Sequence, residues 1–267
     1  MNLVDVHTHL FDAQFEKDCA AVVARAEKAG VKRSITNGLD TETNRACISL
    51  AQKYSSVYAA VGIYPVNILW DHTKNARFPL ALPRFDVDAE VAWILREGKK
   101  EKNKIVAIGE VGLDNFTIKG FLDQQKPLFE QMIAAAEKLK KPIIIHSRSA
   151  EKECIDMLQS SSIKPVNIVM HCFGGAIKLA MKAADAGFNF SIPTNVVFSS
   201  QFQELTKRIN INQLFTETDA PYLGPVKGER NEPANIALSI KKIAEIKGFD
   251  VTETANAIFM NYQRVFG

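Results

Sequence analysis

Short apolar runs alternate along the chain with longer segments in which apolar residues recur every three or four positions. Two of the runs, residues 105–108 (IVAI) and 143–145 (III), are wholly apolar, as expected for parallel strands that are covered on both faces. The longer segments have the period of amphipathic helices, as in residues 129–139. We therefore predict strands at residues 3–7, 33–37, 57–63, 105–110, 143–146, 166–171, 188–192 and 214–219.

Eight strands in 267 residues give one strand–helix unit per about 33 residues, the size expected in a (β/α)8 barrel. The same alternation is compatible with an open, doubly wound sheet. No glycine-rich dinucleotide-binding motif follows the first strand, which disfavours the open sheet. No linker or internal repeat divides the chain. The sequence predicts an α/β protein with one domain, residues 1–267, folded as a (β/α)8 TIM barrel.

One predicted connection, residues 66–85, is long for a compact domain and shows no helical period. It carries Trp70 and Phe78 together with two arginines, Arg77 and Arg84. Aromatic rings beside cations suit the stacking of single-stranded bases, but the same rings also suit packing of the loop onto the barrel. Both interpretations stay open, and His72 in this loop has no assigned role.

Composition excludes several classes of protein. The 33 basic and 30 acidic residues give a net charge of +3, which argues against a broad nucleic-acid-binding surface. No apolar stretch approaches the ~18 residues of a transmembrane helix, and the first residues do not resemble a signal peptide. The four cysteines are scattered without a CxxC pair, so we expect reduced thiols. The expectation is a cytoplasmic protein without membrane contact.

Four of the five histidines and two acids fall at the carboxyl ends of predicted strands. His7 and His9 are two residues apart near the end of the first strand, so their side chains share one face. The other four are Glu110 on the fourth strand, His146 on the fifth, His171 on the sixth and Asp219 on the eighth. Any one such histidine suits a hydrogen-bonded core position, but in a barrel these strand ends converge on the face that carries active sites. The set together predicts a metal centre.

These residues lie in motifs that resemble the amidohydrolase superfamily and, within it, the TatD-like metal-dependent deoxyribonucleases. The motifs are residues 5–9 (DVHTH), 109–114 (GEVGLD), 146–148 (HSR), 217–222 (ETDAPY) and 230–233 (RNEP). They occur in order over nearly the whole chain. The resemblance implies a barrel with a binuclear metal centre and hydrolase activity.

The resemblance also implies which residues hold the metals. His7, His9 and Asp219 would hold one divalent ion, His146 and His171 a second, and Glu110 would bridge the two. The ions could be Mg, Mn or Zn, and the sequence does not choose among them. Our hypothesis is exonuclease-type hydrolysis of DNA phosphodiesters by a metal-bridging hydroxide, with Asp219 as the general base.

Substrate contacts are expected from residues close to the ligands. Arg148 follows His146 by two residues and is placed to contact a phosphate, although an ion pair with Glu217 is equally open. Arg230 and Asn231 follow the eighth strand and could bind phosphate as well. DNA, as single strands or frayed ends, is the expected partner, and a monomer is the expected oligomeric state.

Three further acids are predicted to orient the metal ligands. Glu217 precedes Asp219 by two residues on the same strand face, and Asp5 has the same relation to His7. Asp114, which ends the GEVGLD motif, is assigned the same role.

The chain departs from the family pattern at two positions near the predicted site. Tyr64 stands where the family usually has histidine, and Asn115 stands where an aromatic residue is usual. The loop after the third strand is also about ten residues longer than is common in the family. None of these changes affects the six predicted ligands, but they bear on substrate choice. We count Tyr64 among the substrate-binding candidates.

Two alternative functions remain. A metal pair also activates water for attack on carbonyl groups, so the substrate could be an ester, a lactone or an amide, including aminoacylated tRNA. A neutral small substrate would not require Arg148, Arg230 or the loop cations. A barrel that keeps metal only for structure is the second alternative, which the absence of cysteine ligands disfavours.

Overall fold

Eight strands and nine helices alternate along the chain in the computed structural model, which describes all 267 residues. The strands are β1 (Leu3–Thr8), β2 (Val31–Asn37), β3 (Val57–Val61), β4 (Ile105–Gly112), β5 (Ile143–His146), β6 (Ile168–Met170), β7 (Asn189–Ile192) and β8 (Leu214–Thr216). The helices are α1 (Cys19–Ala29), α2 (Thr41–Lys53), α3 (Val87–Lys100), α4 (Leu122–Leu139), α5 (Glu151–Gln159), α6 (Ile177–Asp185), α7 (Ser200–Arg208), α8 (Ile236–Lys247) and α9 (Val251–Phe266). Each strand is followed by a helix, and α9 is the additional one.

The strands form one parallel sheet in sequence order, from β1 to β8. The sheet closes where the chain leaves β8. There the backbone N–H of Asp219 donates to the carbonyl of His7 and that of His9 donates to the carbonyl of Ala220, both at 2.8 Å. The predicted (β/α)8 barrel is therefore confirmed, and the open-sheet alternative is wrong.

The apolar interior is continuous around the barrel. A cluster of 55 buried residues extends from Leu3 on β1 to Phe266 on α9. On β5 all three isoleucines, Ile143, Ile144 and Ile145, are fully buried, because the barrel interior covers one face of the strand and the helices cover the other. This packing explains the uninterrupted apolar runs in the sequence.

β3, β6 and β8 are shorter than predicted. β3 ends at Val61, and β6 and β8 end at Met170 and Thr216, so His171 and Asp219 lie just beyond the strands. Asp219 has φ 54° and Cys172 has φ 43°. Left-handed backbone of this kind cannot continue a strand, so Asp219 lies outside β8 and no strand extends past His171.

The long connection at residues 66–85 packs against the loop that follows β4. It begins with two short 3-10 helices, Pro65–Ile68 and Trp70–Asn75. Val66 and Leu69 form a small apolar cluster with Ile118. His72, unassigned from the sequence, packs its ring 4.1 Å from the ring of Phe121. The loop therefore has its own anchored core beside the carboxyl end of β4.

Other expectations from composition can be compared with the structure. All four cysteines are unpaired, as predicted. None of the nine helices combines the length and the apolar character needed to cross a membrane.

Candidate metal centre

The six predicted ligands meet at the carboxyl ends of the strands. His7 lies within β1, Glu110 within β4 and His146 at the end of β5, whereas His9, His171 and Asp219 lie in the connections immediately after their strands. All but Asp219 are buried, and the Asp219 side chain is 17% exposed. Residues far apart in sequence thus line one pocket because parallel strands of a barrel end on the same face.

One group of ligand atoms surrounds Asp219. Its Oδ1 lies 3.2 Å from Nε2 of His9 and 3.7 Å from Nε2 of His7. These three residues present one nitrogen or oxygen atom each within 4.8 Å of one another, close enough to share one ion. They are the three residues that the family resemblance implies for the first metal.

Glu110 faces both sides of the pocket. Its Oε2 lies 3.2 Å from Nε2 of His7, and its Oε1 lies 2.8 Å from Nδ1 of His146. Nε2 of His171 is 4.0 Å from Oε1 of Glu110. Ligand atoms of His7, Glu110 and His171 form the second group that could hold an ion. The Glu110 carboxylate therefore lies between the histidines of the set. His146, which the resemblance assigns to the second ion, is not a member of this second group.

Three of the four histidines have one ring nitrogen engaged outside the pocket. Nδ1 of His9 donates to the carbonyl of Asn37 at 3.1 Å, and Nδ1 of His171 donates to Oε2 of Glu217 at 2.7 Å. Nε2 of His146 donates to Oδ2 of Asp114 at 2.9 Å. These bonds fix the orientation of each ring and leave its other nitrogen facing the carboxylates of the pocket.

The acids predicted to orient ligands lie directly behind them. Glu217 is fully buried and also accepts bonds from the N–H of Cys172 at 3.0 Å and from the hydroxyl of Ser191. Asp114, also fully buried, accepts the Tyr64 hydroxyl at 3.1 Å besides His146. Tyr64 thereby reaches the edge of the site.

Asp5 acts on the backbone rather than on an imidazole. Its carboxyl group accepts the N–H of Thr218 at 2.9 Å, the hydroxyl of Thr218 at 2.6 Å and the N–H of His7 at 3.3 Å. Burial raises the pKa of Asp5 to about 8, against the opposing effect of these hydrogen bonds. Asp5 therefore ties the end of β1 to the residue that precedes Asp219.

His7 is the clearest sign that the pocket is built for a cation. Its ring is fully buried, neither of its nitrogens has a hydrogen-bond partner, and it stacks on His171 with ring centroids 3.5 Å apart. A buried, unpartnered imidazole nitrogen carries a desolvation cost that a coordinated ion removes. Together with neutral imidazoles and carboxylates as donors, this arrangement fits a divalent metal ion.

The histidines around the two carboxylates of the site lower the pKa values of those carboxylates. Burial opposes ionisation of Glu110, but His7 and His146 outweigh it and hold the Glu110 pKa well below its ordinary value. Asp219 is lowered in pKa in the same way, with His9 and His171 outweighing burial. Both carboxylates are thus ionised at neutral pH and available as ligands.

The histidine pKa values diverge. Burial lowers the pKa of His7, and the neighbouring His171 lowers it further. For His171 burial acts in the same direction, but Glu217 and Asp219 outweigh it and raise the pKa to about 10. Binding of a cation to Nε2 of His171 therefore releases a proton near neutral pH.

The predicted substrate-binding residues fall into two groups. Arg148 is exposed and does not pair with Glu217, and its guanidinium lies 3.9 Å from the centre of the Phe116 ring. Arg230 instead forms an ion pair with Asp18 at 2.7 Å. Asn231 is fully buried and holds the loop after β8 through three side-chain hydrogen bonds. Substrate contact by Arg230 and Asn231 stays a prediction, while their contacts in the structure brace that loop.

Sequence reasoning missed two residues at the site. Asn37, at the end of β2, supplies the carbonyl that orients His9, and Ser191 on β7 supports Glu217. Ser191 is a polar residue near the carboxyl end of a buried strand, so the rule that found the histidines could have found it too. Asn37 acts through its backbone carbonyl, and residue type does not reveal that role.

Comparisons with known proteins agree with this geometry. The sequence model of the family described as TatD related DNase matches residues 4–267. An uncharacterized metal-dependent hydrolase of Bacillus subtilis, YabD, is 33% identical over 99% of this chain and 98% of its own length. The human deoxyribonuclease TATDN3 is 32% identical over 100% of this chain and 95% of its own. The crystal structure of YJJV, a TatD homolog from Escherichia coli, has a TM-score of 0.86 at 24% identity and covers 99% of this chain and 97% of that chain, which supports the fold.

Sequence and structure thus converge on one identity. The family match spans the barrel from β1 to the last residue and includes all six predicted ligands. From both we conclude that the chain belongs to the TatD-related DNase family and is a metal-dependent hydrolase.

Proposed function

We propose that the protein is a deoxyribonuclease that cleaves DNA phosphodiester bonds from strand ends with the help of two divalent ions. The observation that carries the proposal is the exposed guanidinium of Arg148, which has no acidic partner and lies two residues from His146. A neutral ester, lactone or amide would not require such a cation, whereas a phosphate binds it well. The human relative TATDN3 is named as a deoxyribonuclease, which supports the same choice.

Both ions would be held by residues of the pocket. His7, His9 and Asp219, whose ligand atoms lie within 4.8 Å of one another, are suited to one ion. We assign His146 and His171 to the other ion and Glu110 to both, because the Glu110 carboxylate lies 3.2 Å from Nε2 of His7 and 2.8 Å from Nδ1 of His146. Such ions, whether Mg, Mn or Zn, would supply Lewis acidity that acidifies a water molecule and neutralises phosphate charge.

Asp219 is the residue best placed to accept a proton. Its side chain is 17% exposed, compared with 5% for Glu110, so it faces the mouth of the pocket. Its lowered pKa keeps the carboxylate unprotonated at neutral pH. An attacking water at the mouth can therefore transfer its proton to a carboxylate oxygen of Asp219.

Glu110 and Tyr64 hold the other side of the pocket. The Glu110 carboxylate lies 3.2 Å from Nε2 of His7 and 2.8 Å from Nδ1 of His146. The Tyr64 hydroxyl lies 3.4 Å from Nε2 of His146 and donates to Asp114. The phenol therefore lies directly beside His146, which is why we retain Tyr64 as a substrate-binding residue.

The proposal is tested with one panel of substrates. The purified protein is given end-labelled single- and double-stranded DNA with Mg, Mn or Zn, and, in parallel, a lactone, an aryl ester and an aminoacylated tRNA. We expect stepwise shortening of DNA that a chelator abolishes. The His146→Ala variant should lose this activity, and His72→Ala, which removes the one histidine outside the site, should keep it.

Other outcomes have defined meanings. Hydrolysis of the lactone, ester or aminoacyl-tRNA without DNA shortening overturns the proposal in favour of carbonyl chemistry. Internal cuts without shortening retain the nuclease but contradict attack from strand ends.

A further inference from the structure

Two arginines at the rim of the barrel lack a polar partner and lie against one ring. Six of the ten arginines pair with a carboxylate, namely Arg25, Arg45, Arg84, Arg96, Arg208 and Arg230. Arg33 and Arg264 donate to backbone carbonyls. Arg77 and Arg148 have neither kind of partner, and their guanidinium carbons lie 4.2 and 3.9 Å from the centre of the Phe116 ring.

This arginine pair lies beside the metal centre. Phe116 follows Asp114 by two residues and Arg148 follows His146 by two, and Asp114 and His146 are hydrogen-bonded at 2.9 Å. The two segments are also joined by a bond from the N–H of Asn115 to the carbonyl of Arg148 at 2.9 Å. The pair is therefore at the mouth of the pocket on the His146 side.

The long connection at residues 66–85 brings Arg77 to this place. Its backbone N–H donates to the carbonyl of Thr117 at 3.0 Å, and Ala76 pairs with Ile118 in an antiparallel bridge. The Arg77 backbone is thus fixed, while its side chain is exposed. The aromatic ring orients both guanidinium groups but leaves their N–H donors unused.

Two exposed cations held against one ring repel each other, and a bound anion would reduce that repulsion. No carboxylate within 4.0 Å of either guanidinium supplies that charge. The planar N–H donors of arginine match the oxygens of a phosphate.

We propose that Arg77 and Arg148 together bind a backbone phosphate adjacent to the one being cleaved, with Phe116 as their common support. The inference rests on the proposed function and deepens it, because it adds a second site at which the protein contacts a phosphate of the DNA substrate. It also gives the long loop a role: Arg77 positions the polynucleotide chain relative to the metal centre.

Binding is measured without cleavage, using a fluorescently labelled single-stranded oligonucleotide in the presence of a chelator and a series of salt concentrations. We expect Arg77→Gln to weaken binding about tenfold. The plot of log affinity against log salt has a negative slope, and its magnitude should decrease by about 0.7 because one phosphate contact is lost. Arg77→Lys keeps the charge and should restore part of the slope. Arg84→Gln is the matched control, because Arg84 lies in the same loop but is paired with Asp71.

A second measurement locates the phosphate. Oligonucleotides in which one linkage at a time is a neutral methylphosphonate are cleaved by the metal-loaded enzyme. The wild type should show a raised KM for one position next to the scissile bond, and Arg77→Gln should be insensitive to the change at that position. For an aryl phosphodiester without a second phosphate, Arg77→Gln should leave both kcat and KM unchanged.

The failures are distinguishable. If Arg77→Gln binds the oligonucleotide with wild-type affinity and salt slope, the inference is wrong even though DNA is cleaved. If the wild type fails to cleave DNA while binding still depends on Arg77, the proposed function is wrong and the phosphate site stands. If polyglutamate competes as strongly as the oligonucleotide, the site is a general anion site and the inference is overturned.

Discussion

His7 and its three companion histidines are held in different ways. His9, His146 and His171 are each oriented by a hydrogen bond to a neighbouring oxygen, whereas His7 is held by burial and by stacking on His171. A ring held by packing alone keeps both nitrogens free, but its position depends on the residues around it. The precise placement of the ligands is therefore a joint property of the site and of the barrel end that supports it.

Replacing Asp219 with asparagine should reduce catalytic activity without changing the fold. We expect Asp219→Asn to lower turnover by about 10²- to 10⁴-fold, since it removes both a proton acceptor and an anionic ligand. The backbone N–H of residue 219 still bonds to the carbonyl of His7, so the barrel should close as before. Steady-state kinetics and circular dichroism test this, with Asp185→Asn on the exposed surface of α6 as the matched control. Wild-type turnover in Asp219→Asn would disprove the assignment.

Glu217 acts on a ligand rather than on substrate. Glu217→Gln keeps the size of the side chain but removes the charge that fixes the Nδ1–H tautomer of His171. We expect metal affinity to fall about 10- to 100-fold. Competition with a chelating dye measures this, and Glu229→Gln on the surface is the control. Unchanged metal affinity would mean that Glu217 has no orienting role.

At the scale of elements, the side chain of Asn44 on α2 joins that helix to the end of β3. Its amide forms the two hydrogen bonds that a neighbouring strand would form with the backbone of Gly62. Asn44 donates from Nδ2 to the carbonyl of Gly62 at 2.9 Å and accepts the N–H of Gly62 at 3.0 Å. It also donates to Glu90 on α3, which pairs with Arg45. This network positions the chain immediately before Tyr64, at the edge of the metal centre.

Removing the Asn44 amide should therefore destabilise the barrel. Asn44→Ala leaves the buried N–H and C=O of Gly62 unpaired, at a cost of about 1–3 kcal/mol for each group. We expect the free energy of unfolding in urea to fall by roughly 3 kcal/mol. The exposed Asn103→Ala is the control, and a loss below about 0.5 kcal/mol would contradict the role assigned to Asn44.

The sequence predicted the bounds of strands accurately where both faces of the strand are buried. It predicted them less accurately where a strand ends in an irregular connection. β5 was predicted with its observed bounds because Ile143–His146 is apolar up to the ligand itself. At Asp219 and Cys172 the left-handed backbone depends on contacts made by the neighbouring strand and loop, which a local pattern does not contain. The loop at residues 66–85 was recognised by its length, but its docking through Thr117 was not predictable from its own residues.

At the scale of the whole molecule, the small net charge does not describe how charge is distributed over the surface. The net charge of +3 is small, yet Arg77 and Arg148 place unpaired positive charge beside a pocket whose ligands suit a divalent cation. A near-neutral surface can thus carry a strongly cationic cleft.

The pKa of His171 predicts how stability depends on pH in chelator-treated protein. Because the folded-state pKa is about 10, above the ordinary value of 6.5, protonated His171 contributes stability that is fully present below pH 6.5 and is lost as the pH rises through 10. We expect the Tm in chelator to fall from pH 6.5 to pH 9.5. Added metal should raise Tm more at high pH, since binding displaces that proton.

The matched variant tests the source of this effect. In His171→Asn the slope of Tm against pH over the same range should flatten, because the titrating group is absent. An unchanged slope in His171→Asn would assign the pH dependence to other groups.

The sequence by itself determined the eight-fold alternation, the barrel class and the identity of the six candidate ligands. It could do so because apolar period and residue type are local properties, and because a parallel barrel brings all strand ends to one face. Only the tertiary structure decided that Arg230 pairs with Asp18 while Arg148 stays free, and that Arg77 from the long loop joins it on Phe116. The physical reason is that the pairing of a long charged side chain depends on which groups the fold brings within about 4 Å, and the spacing of residues along the chain does not specify those neighbours.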